Sequence, residues 1–217
     1  MKIYDISKEL FSASVYPGDP VPSKQEVMGF DKEVPDHCQV TMLSLGSHSG
    51  THMDAPRHFV PGGKDMEELD IRKCLGPCIV VSAGGDITAD MARGWIKEWE
   101  SSDGASPAAS GGSPEDGEKA SADGLRLLIR GDITITEEAA QVFADSSLSC
   151  LGVEGMTVGT QETGVRIHQI LLGAEVVIIE SLVLRDVPDG RYFLHALPLK
   201  MRGLDGSPVR AVLTAEE

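Results

Sequence analysis

The chain lacks the features of membrane and secreted proteins. No stretch approaches 18 consecutive apolar residues, the length that a membrane-spanning helix needs. Its first residues lack the apolar core of a signal peptide. The four cysteines, at positions 38, 74, 78 and 150, are too few and too scattered for a disulfide framework. We therefore expect a cytoplasmic protein with no membrane partner, in which Cys74 and Cys78 are buried structural thiols.

Positive charge is also scarce. Lysine and arginine number 19 against 34 acidic residues, which gives a formal net charge of −15, and no long basic run occurs. A protein that binds nucleic acid needs a basic stripe to neutralise phosphates. The composition therefore argues against a nucleic-acid partner. The chain also lacks a G-x-S-x-G segment, which argues against a serine hydrolase.

What remains is the composition of a soluble globular protein. Apolar residues make up 41% and charged residues 24% of 217 residues, enough for a sizeable core in one domain, residues 1–217. Residues 101–124 differ, since they are almost entirely serine, glycine, alanine, proline and acids. Such a segment buries too little apolar surface to offset its ordering entropy. We expect a flexible surface insertion there.

The periodicity predicts strands that alternate with a few helices. Thr88 and Thr136 are suited to begin two helices, the first with a core stripe at Met91, Trp95 and Trp99 and the second ending near Ala144. A third helix is predicted over 164–172, with Gly173 just beyond its end. Short β-branched runs predict strands over 40–45, 79–83, 125–129, 149–153, 175–184, 192–199 and 209–213. The fold class is therefore α/β, with a mixed sheet flanked by helices.

The densest chemical signal is the segment from His48 to His58, which reads His-Ser-Gly-Thr-His-Met-Asp-Ala-Pro-Arg-His. It places three of the six histidines and an aspartate within eleven positions. Imidazole and carboxylate groups bind zinc, manganese or iron. In an extended chain His48, His52 and Asp54 share one side, and Gly50 permits a bend between them. A histidine-bearing surface loop is the alternative, but Ala-Pro and a following phenylalanine are not typical of one.

Two further groups lie far along the chain. His168 falls in the predicted third helix among apolar residues, and Glu180 follows an apolar strand. A buried carboxylate is costly when it has no partner, so metal binding would explain Glu180. Residue type alone favours a simpler interpretation, in which His168 is a core histidine and Glu180 pairs with Arg166 or Arg185.

The segment 48–58 resembles the H-x-G-T-H-x-D-x-P-x-H signature of the metal-dependent cyclase-like hydrolases, which include bacterial kynurenine formamidase and isatin hydrolase. The match is complete at every fixed position. The likeness extends to Tyr4-Asp-Ile-Ser7, to Tyr16-Pro-Gly-Asp-Pro20 and to the tails 196–200 and 206–210. It implies a swivelling β/β/α fold and a homodimer or homotetramer.

The resemblance also implies a role for each residue. His48, His52 and Asp54 would hold one divalent ion, zinc or manganese. Asp54 would bridge to a second ion, completed by His168 and Glu180. His58 would stay off the metal as the catalytic acid and base.

The substrate pocket departs from the family pattern at two places. Tyr16 stands where formamidases commonly carry tryptophan, and Glu154 and Thr157 are nearest to an Asp and a Ser found in many relatives. We take Tyr16 and Thr157 as candidate substrate contacts.

The implied reaction is hydrolysis of a C–N bond in a small amide, formamide or cyclic amide by metal-activated water. His58 would move the proton. The alternative is a non-hydrolytic protein that binds or senses metal on the same scaffold.

Overall fold

The computed structural model describes residues 1–31, 36–101 and 124–216. The predicted insertion lies, apart from its two end residues, outside the described residues. Within them the chain is mixed α/β, as predicted. The α-helices are α1 (Ala89–Glu100), α2 (Glu137–Ala144) and α3 (Gly164–Gly173), and short 3-10 helices span Pro56–His58 and Ile71–Cys74. The strands are β1 (Lys2–Asp5), β2 (Ser23–Met28), β3 (Val40–Ser44), β4 (His52–Asp54), β5 (Leu75–Ser82), β6 (Gly85–Ile87), β7 (Leu125–Arg130), β8 (Ile133–Ile135), β9 (Leu148–Val153), β10 (Val177–Glu180), β11 (Gly190–His195), β12 (Gly206–Pro208) and β13 (Val212–Ala215).

One large sheet organises the molecule. Its strand order is β1-β13-β11-β5-β7-β9-β10-β4-β12, and the central strands β5, β7, β9 and β10 run parallel. The strands outside this centre pair antiparallel, so the sheet is mixed, as predicted. Strands β2 and β3 form a separate two-stranded hairpin, and β6 pairs with β8.

Both faces of the central sheet are buried. Along β7, Leu127 and Ile129 join the cluster that packs under the three helices, whereas Leu128 joins a second cluster on the opposite face. Successive residues of a strand point to opposite faces, which explains this alternation. The second cluster also contains Cys74, Cys78 and Cys150, which are buried as free thiols. The prediction that Cys74 and Cys78 are buried thiols is thus confirmed.

The helix starts follow the sequence prediction closely. The Thr88 hydroxyl accepts a hydrogen bond from the Met91 backbone N–H, and the Thr136 hydroxyl accepts one from Ala139. The end of α3 was predicted wrongly. Gly173 is its last helical residue, and the left-handed backbone falls at Glu175, with φ of 59°.

Several strand bounds also differ from the prediction. The strand predicted over 175–184 is only β10, because Ser181 takes φ of 60° and ends it directly after Glu180. Of the segment predicted over 209–213, only Val212 and Leu213 belong to a strand, β13, and β12 ends before the segment, at Pro208. The hairpin strand β2 was not predicted, since most of its residues are polar and all of them are exposed.

Candidate metal centre

Strand β4 presents two ligand-type side chains on one face. Met53 points into the second core cluster, so His52 and Asp54 point the other way, toward the helices. Gly50 takes φ of 64°, which supplies the predicted bend before the strand. The Gly50 carbonyl lies 2.9 Å from His52 Nδ1. Because a carbonyl only accepts, Nδ1 of His52 carries a proton and Nε2 is directed toward the centre.

Strand β10 brings Glu180 beside His52. The two strands are antiparallel neighbours, and Glu180 is the direct cross-strand partner of His52. Nε2 of His52 lies 3.4 Å from Glu180 Oε2 and 3.6 Å from Asp54 Oδ1. The other Glu180 oxygen, Oε1, accepts a hydrogen bond from the Val158 backbone N–H at 3.0 Å. The carboxylate is thereby held in one orientation.

Helix α3 supplies His168 from above the sheet. The buried face of the helix includes Gly164, Ile167, His168 and Leu171, the spacing of a helical stripe. His168 Nδ1 lies 2.7 Å from the Gly164 carbonyl, so this nitrogen carries a proton. Its Nε2 lies 3.3 Å from Glu180 Oε1 and 3.5 Å from Asp54 Oδ2.

His48 reaches the centre from the turn before β4. Its Nδ1 lies 2.9 Å from Asp54 Oδ1. The imidazole lies close to Gly206 on β12, where an added Cβ would stand 2.6 Å from His48 Cε1. Only glycine leaves room for the ring at that distance.

The arrangement fits divalent cations. Asp54 is 1% exposed and its Oδ2 accepts no hydrogen bond, an unusual state for a buried carboxylate oxygen. A cation would satisfy that oxygen. Two groups of side chains each bring three ligand atoms within 4.8 Å of one another. The first group is His48, Asp54 and His58, and the second is His52, Asp54 and Glu180. Nitrogen and oxygen donors of this kind suit zinc and manganese alike.

The charges of the centre balance one another. Burial alone would raise the pKa of Asp54, but His168, His48 and His52 outweigh it and hold the pKa well below its usual value. Burial lowers histidine pKa values, yet Asp54 and Glu180 raise that of His168 to about 10, and Asp54 and Asp205 raise that of His48 to about 9. Without metal, the histidines thus act as the counterions of the buried carboxylates.

His58 stands apart from this balance. Burial lowers its pKa, and the neighbouring positive charges of His48 and His168 act in the same direction, which together outweigh the raising effect of Asp54 and Asp205. Its ring stacks on that of His48 with centroids 3.9 Å apart, and its side chain is 26% exposed. His58 is therefore neutral where it meets the solvent side of the centre, although it also lies close enough to ligate an ion shared with His48.

A cavity of about 220 Å³ opens onto the centre. His48, His52, His58, His168 and Glu180 line one side of it. The other walls are contributed by residues of mixed polarity: Ser14, Tyr16, Asp19, Phe59, Met156, Thr157, Thr160, Gln161, Gly164, Val165 and Ser181. Tyr16 and Thr157, the candidate substrate contacts, both line this cavity, and their contact with substrate stays a prediction.

Comparison with known proteins identifies the family. The model of the Cyclase family, described as "Putative cyclase", matches residues 4–160. The chain belongs to this family. A kynurenine formamidase from Maricaulis maris (strain MCS10) is 32% identical over 230 residues, covering 98% of this chain and 97% of that protein. The resemblance inferred from the signature is thus confirmed.

Two solved structures have the same fold. A "predicted metal-dependent hydrolase" from Bacillus stearothermophilus is 26% identical with a TM-score of 0.70, covering 98% of this chain and 97% of that one. Isatin hydrolase A from Labrenzia aggregata is 22% identical with a TM-score of 0.73, covering 98% and 93% of the two chains. The second likeness concerns the fold alone.

The salt bridges first favoured for Glu180 are absent from the described residues. Arg166 lies 3.8 Å from Glu137 and Arg185 lies 3.5 Å from Asp186, whereas the Glu180 oxygens face His52 and His168. The ion-pair interpretation of Glu180 with Arg166 or Arg185 is therefore wrong, and the metal-binding role that the family resemblance implies for His168 and Glu180 stays a prediction.

Glu154 does not lie at the candidate site, although the family pattern places it nearest to an active-site Asp of many relatives. It does not line the cavity, and its carboxylate accepts backbone hydrogen bonds from Gly131 and Leu184. It thus holds two loops together, and Thr157 is the nearer match to a substrate contact.

Asp205 was missed by the sequence analysis. Its Oδ2 lies 3.1 Å from His48 Nε2 and 3.4 Å from His58 Nδ1. The signal that would have found it is its position directly before the family-like tail 206–210.

Proposed function

We propose that this cyclase-family protein is a metal-dependent hydrolase that cleaves a C–N bond of a small amide, formamide or cyclic amide. The observation that carries the proposal is the convergence of His52, Asp54, His168 and Glu180 beneath the cavity, with one Asp54 oxygen left without a hydrogen-bond donor. The identity to a protein named kynurenine formamidase and to a metal-dependent hydrolase supports the same reaction class.

Two ions per chain are proposed, with zinc as the first candidate and manganese as the second. His48, His52 and Asp54 would hold the first ion. Asp54 would be shared with the second, which His168 and Glu180 complete. When bound, such ions lower the pKa of water and polarise a carbonyl group, so that water attacks at neutral pH.

His58 is proposed as the proton carrier. It borders the cavity in neutral form, so it can accept a proton from the attacking water and donate it to the leaving nitrogen. Five other side chains already supply ligands for two ions, which leaves His58 available for this role.

The cavity walls favour a small substrate with an aromatic or apolar part. Phe59, Met156 and Val165 supply apolar contacts, Tyr16 offers an aromatic wall, and Thr157 offers a hydroxyl at the same opening. An aryl formamide and a lactam fused to a ring are the two substrate types to test first.

The test uses purified protein stripped by a chelator and then loaded with zinc or manganese. We expect turnover of N-formylkynurenine or isatin that depends on the added metal. Bound metal without turnover across a panel of formamides and lactams would instead identify a protein that only binds or senses metal.

Two variants separate the proposed roles. His58→Ala is expected to keep its metal and lose turnover by about 10²–10⁴-fold, the usual contribution of an acid–base group. His52→Ala is expected to lose metal as well. His37→Ala, on an exposed residue, is the control. Loss of metal from a folded His58→Ala protein would assign His58 to the ligand set.

The hairpin of β2 and β3 supports the proposed homodimer or homotetramer. Every residue of both strands is exposed, including Val27, Met28, Val40, Met42 and Leu43. A two-stranded hairpin is marginally stable alone in water, and an exposed apolar patch marks a contact surface. Light scattering should give a dimer or tetramer, and Met42→Lys with Leu43→Lys should reduce its mass.

A cytoplasmic location is proposed as well. The cysteines at positions 38, 74, 78 and 150 are free thiols, as expected in a reducing compartment. Within the described residues, no helix has the length and apolar character to cross a membrane.

A further inference from the structure

We propose that Asp205 is a positioning residue that orients His48 and His58 together, so that one imidazole is directed toward the metal and the other toward the substrate. This inference rests on the proposed function for the roles of the two histidines. In the ion pairs described, the Asp205 carboxylate faces His48 and His58.

The geometry places a single carboxylate oxygen between the two rings. Oδ2 of Asp205 lies 3.1 Å from His48 Nε2 and 3.4 Å from His58 Nδ1. The rings are stacked with centroids 3.9 Å apart and 28° between their planes, and Oδ2 is hydrogen-bonded to His48 Nε2 while it lies within ion-pair distance of His58 Nδ1. The other oxygen, Oδ1, accepts a hydrogen bond from the Ser47 hydroxyl at 2.9 Å.

The backbone holds Asp205 at this position. Its carbonyl accepts a hydrogen bond from the Ala55 N–H at 2.9 Å, directly after Asp54. The preceding carbonyl, of Leu204, accepts one from Met66 at 3.1 Å. Strand β12 begins at the next residue and pairs with β4, so Gly206 stands beside Asp54. The carboxylate is therefore fixed relative to the proposed ligands and not carried on a free loop.

The position of Asp205 determines which nitrogen of each imidazole carries a proton and which is left to bind metal or accept a proton. A carboxylate accepts N–H groups only, so Asp205 favours a proton on His48 Nε2 and on His58 Nδ1. His48 Nδ1 is then left to face Asp54 and the metal. His58 Nε2 is left without a proton and free to accept one. Carboxylates that orient metal-binding histidines in this way typically change affinity or activity by 10–100-fold.

The alternative is that Asp205 only stabilises the C-terminal segment. Its side chain is 41% exposed, and the same segment is also held by the ion pair of Asp5 with Arg210. A purely structural role predicts the same loss from either carboxylate. The orienting role predicts a loss from Asp205 alone.

The test compares Asp205→Ala and Asp205→Asn with two matched controls. Ser47→Ala removes the bond to Oδ1 and leaves the contacts of Oδ2 with the imidazoles. Asp5→Asn weakens the same segment away from the histidines. For each protein, the dissociation constant for zinc is measured by chelator competition. The kcat and KM are measured at saturating zinc, with whichever of N-formylkynurenine and isatin the parent protein hydrolyses.

We expect both Asp205 variants to bind zinc about 10–100-fold more weakly and to lose kcat by a similar factor, with KM little changed. Both controls should stay close to the parent protein, and zinc stoichiometry at saturation should be unchanged. Loss of one zinc per chain would make Asp205 a ligand and overturn the proposal. A change in only one of the two quantities, or equal losses in Asp5→Asn, would overturn it too.

Nuclear magnetic resonance of the imidazole nitrogens separates this proposal from the proposed function. In zinc-loaded parent protein, His48 Nε2 and His58 Nδ1 should carry the protons, and Asp205→Ala should remove that preference at His58. This readout needs no substrate. An unchanged His58 ring in Asp205→Ala would overturn the proposal even if turnover were found.

Discussion

His52 and Glu180 are direct cross-strand partners, with Nε2 of the histidine 3.4 Å from Oε2 of the glutamate. Opposed residues of an antiparallel pair have their Cβ atoms close together, so the register of β4 on β10 alone brings this base and acid together. Both are nearly fully buried, and each has a backbone partner that fixes its remaining polar atom.

Replacing Glu180 by glutamine tests the charge of this pair. The variant keeps the shape of the side chain but removes the negative charge that His52 and His168 face. We expect the zinc content after dialysis to fall, with an affinity loss of at least about 10-fold. Elemental analysis checks this, with Glu137→Gln as control, since that carboxylate is exposed and contacts only Arg166 among the ion pairs described. Full zinc retention in Glu180→Gln would contradict the ligand assignment.

Thr51 connects the two halves of the centre. Its buried hydroxyl donates to the Ser181 carbonyl at 2.6 Å and accepts from the Lys8 N–H at 2.8 Å. It thus ties the residue before His52 to the residue after Glu180. Thr51→Val leaves both backbone groups without that partner, and we expect a loss of about 1–3 kcal/mol in the free energy of unfolding. Urea unfolding measures it, and Thr51→Ser should restore most of the loss.

We expect that no other residue can replace Gly206 without disturbing the His48 imidazole. A methyl group there would stand 2.6 Å from His48 Cε1, so Gly206→Ala must displace the imidazole or the strand. We expect weaker zinc binding together with lower stability. Gly94→Ala is the control, because Gly94 lies in α1 with no atom within 4 Å of the new methyl group. That variant should gain about 0.5–1 kcal/mol, the usual difference between alanine and glycine in a helix.

Removal of metal should change how stability depends on pH. Although burial opposes it, Asp54 and its neighbouring carboxylates raise the pKa of His48 to about 9 and that of His168 to about 10 in the metal-free protein. Unfolded histidine has a pKa near about 6.5. A raised pKa contributes stability that is complete below the unfolded value and is lost as pH rises through the folded value.

We therefore expect the Tm of chelator-treated protein to fall between about pH 6.5 and 10. Zinc-loaded protein should not show this fall, because metal binding replaces the imidazole protons. Differential scanning calorimetry of both forms measures the contrast. A parallel pH dependence of the two forms would show that these histidines do not bind the metal.

The local features of this protein follow from its sequence. Thr88 and Thr136 begin helices because their hydroxyls satisfy backbone N–H groups within the next three residues, which requires no distant partner. The burial of β7 and β9 follows from their mostly apolar sequences, in which Arg126 and Ser149 are buried as well. The residue types of the segment from His48 to His58 also indicate a metal site. The bend at Gly50 comes from the conformational freedom of glycine.

Tertiary structure decides which of these groups meet. The order of β10, β4 and β12 in the sheet brings Glu180 and Asp205 to the histidines of segment 48–58. Strands that pair across such long sequence separations leave no periodic pattern in the sequence from which the pairing could be predicted. The same applies to His168, whose burial alone is equally consistent with a core histidine. The sequence by itself determined the family and the candidate ligand types, because both are carried by the neighbouring residues of one segment. The orientation of each imidazole was decided by backbone carbonyls and carboxylates that only folding brings within 3.5 Å.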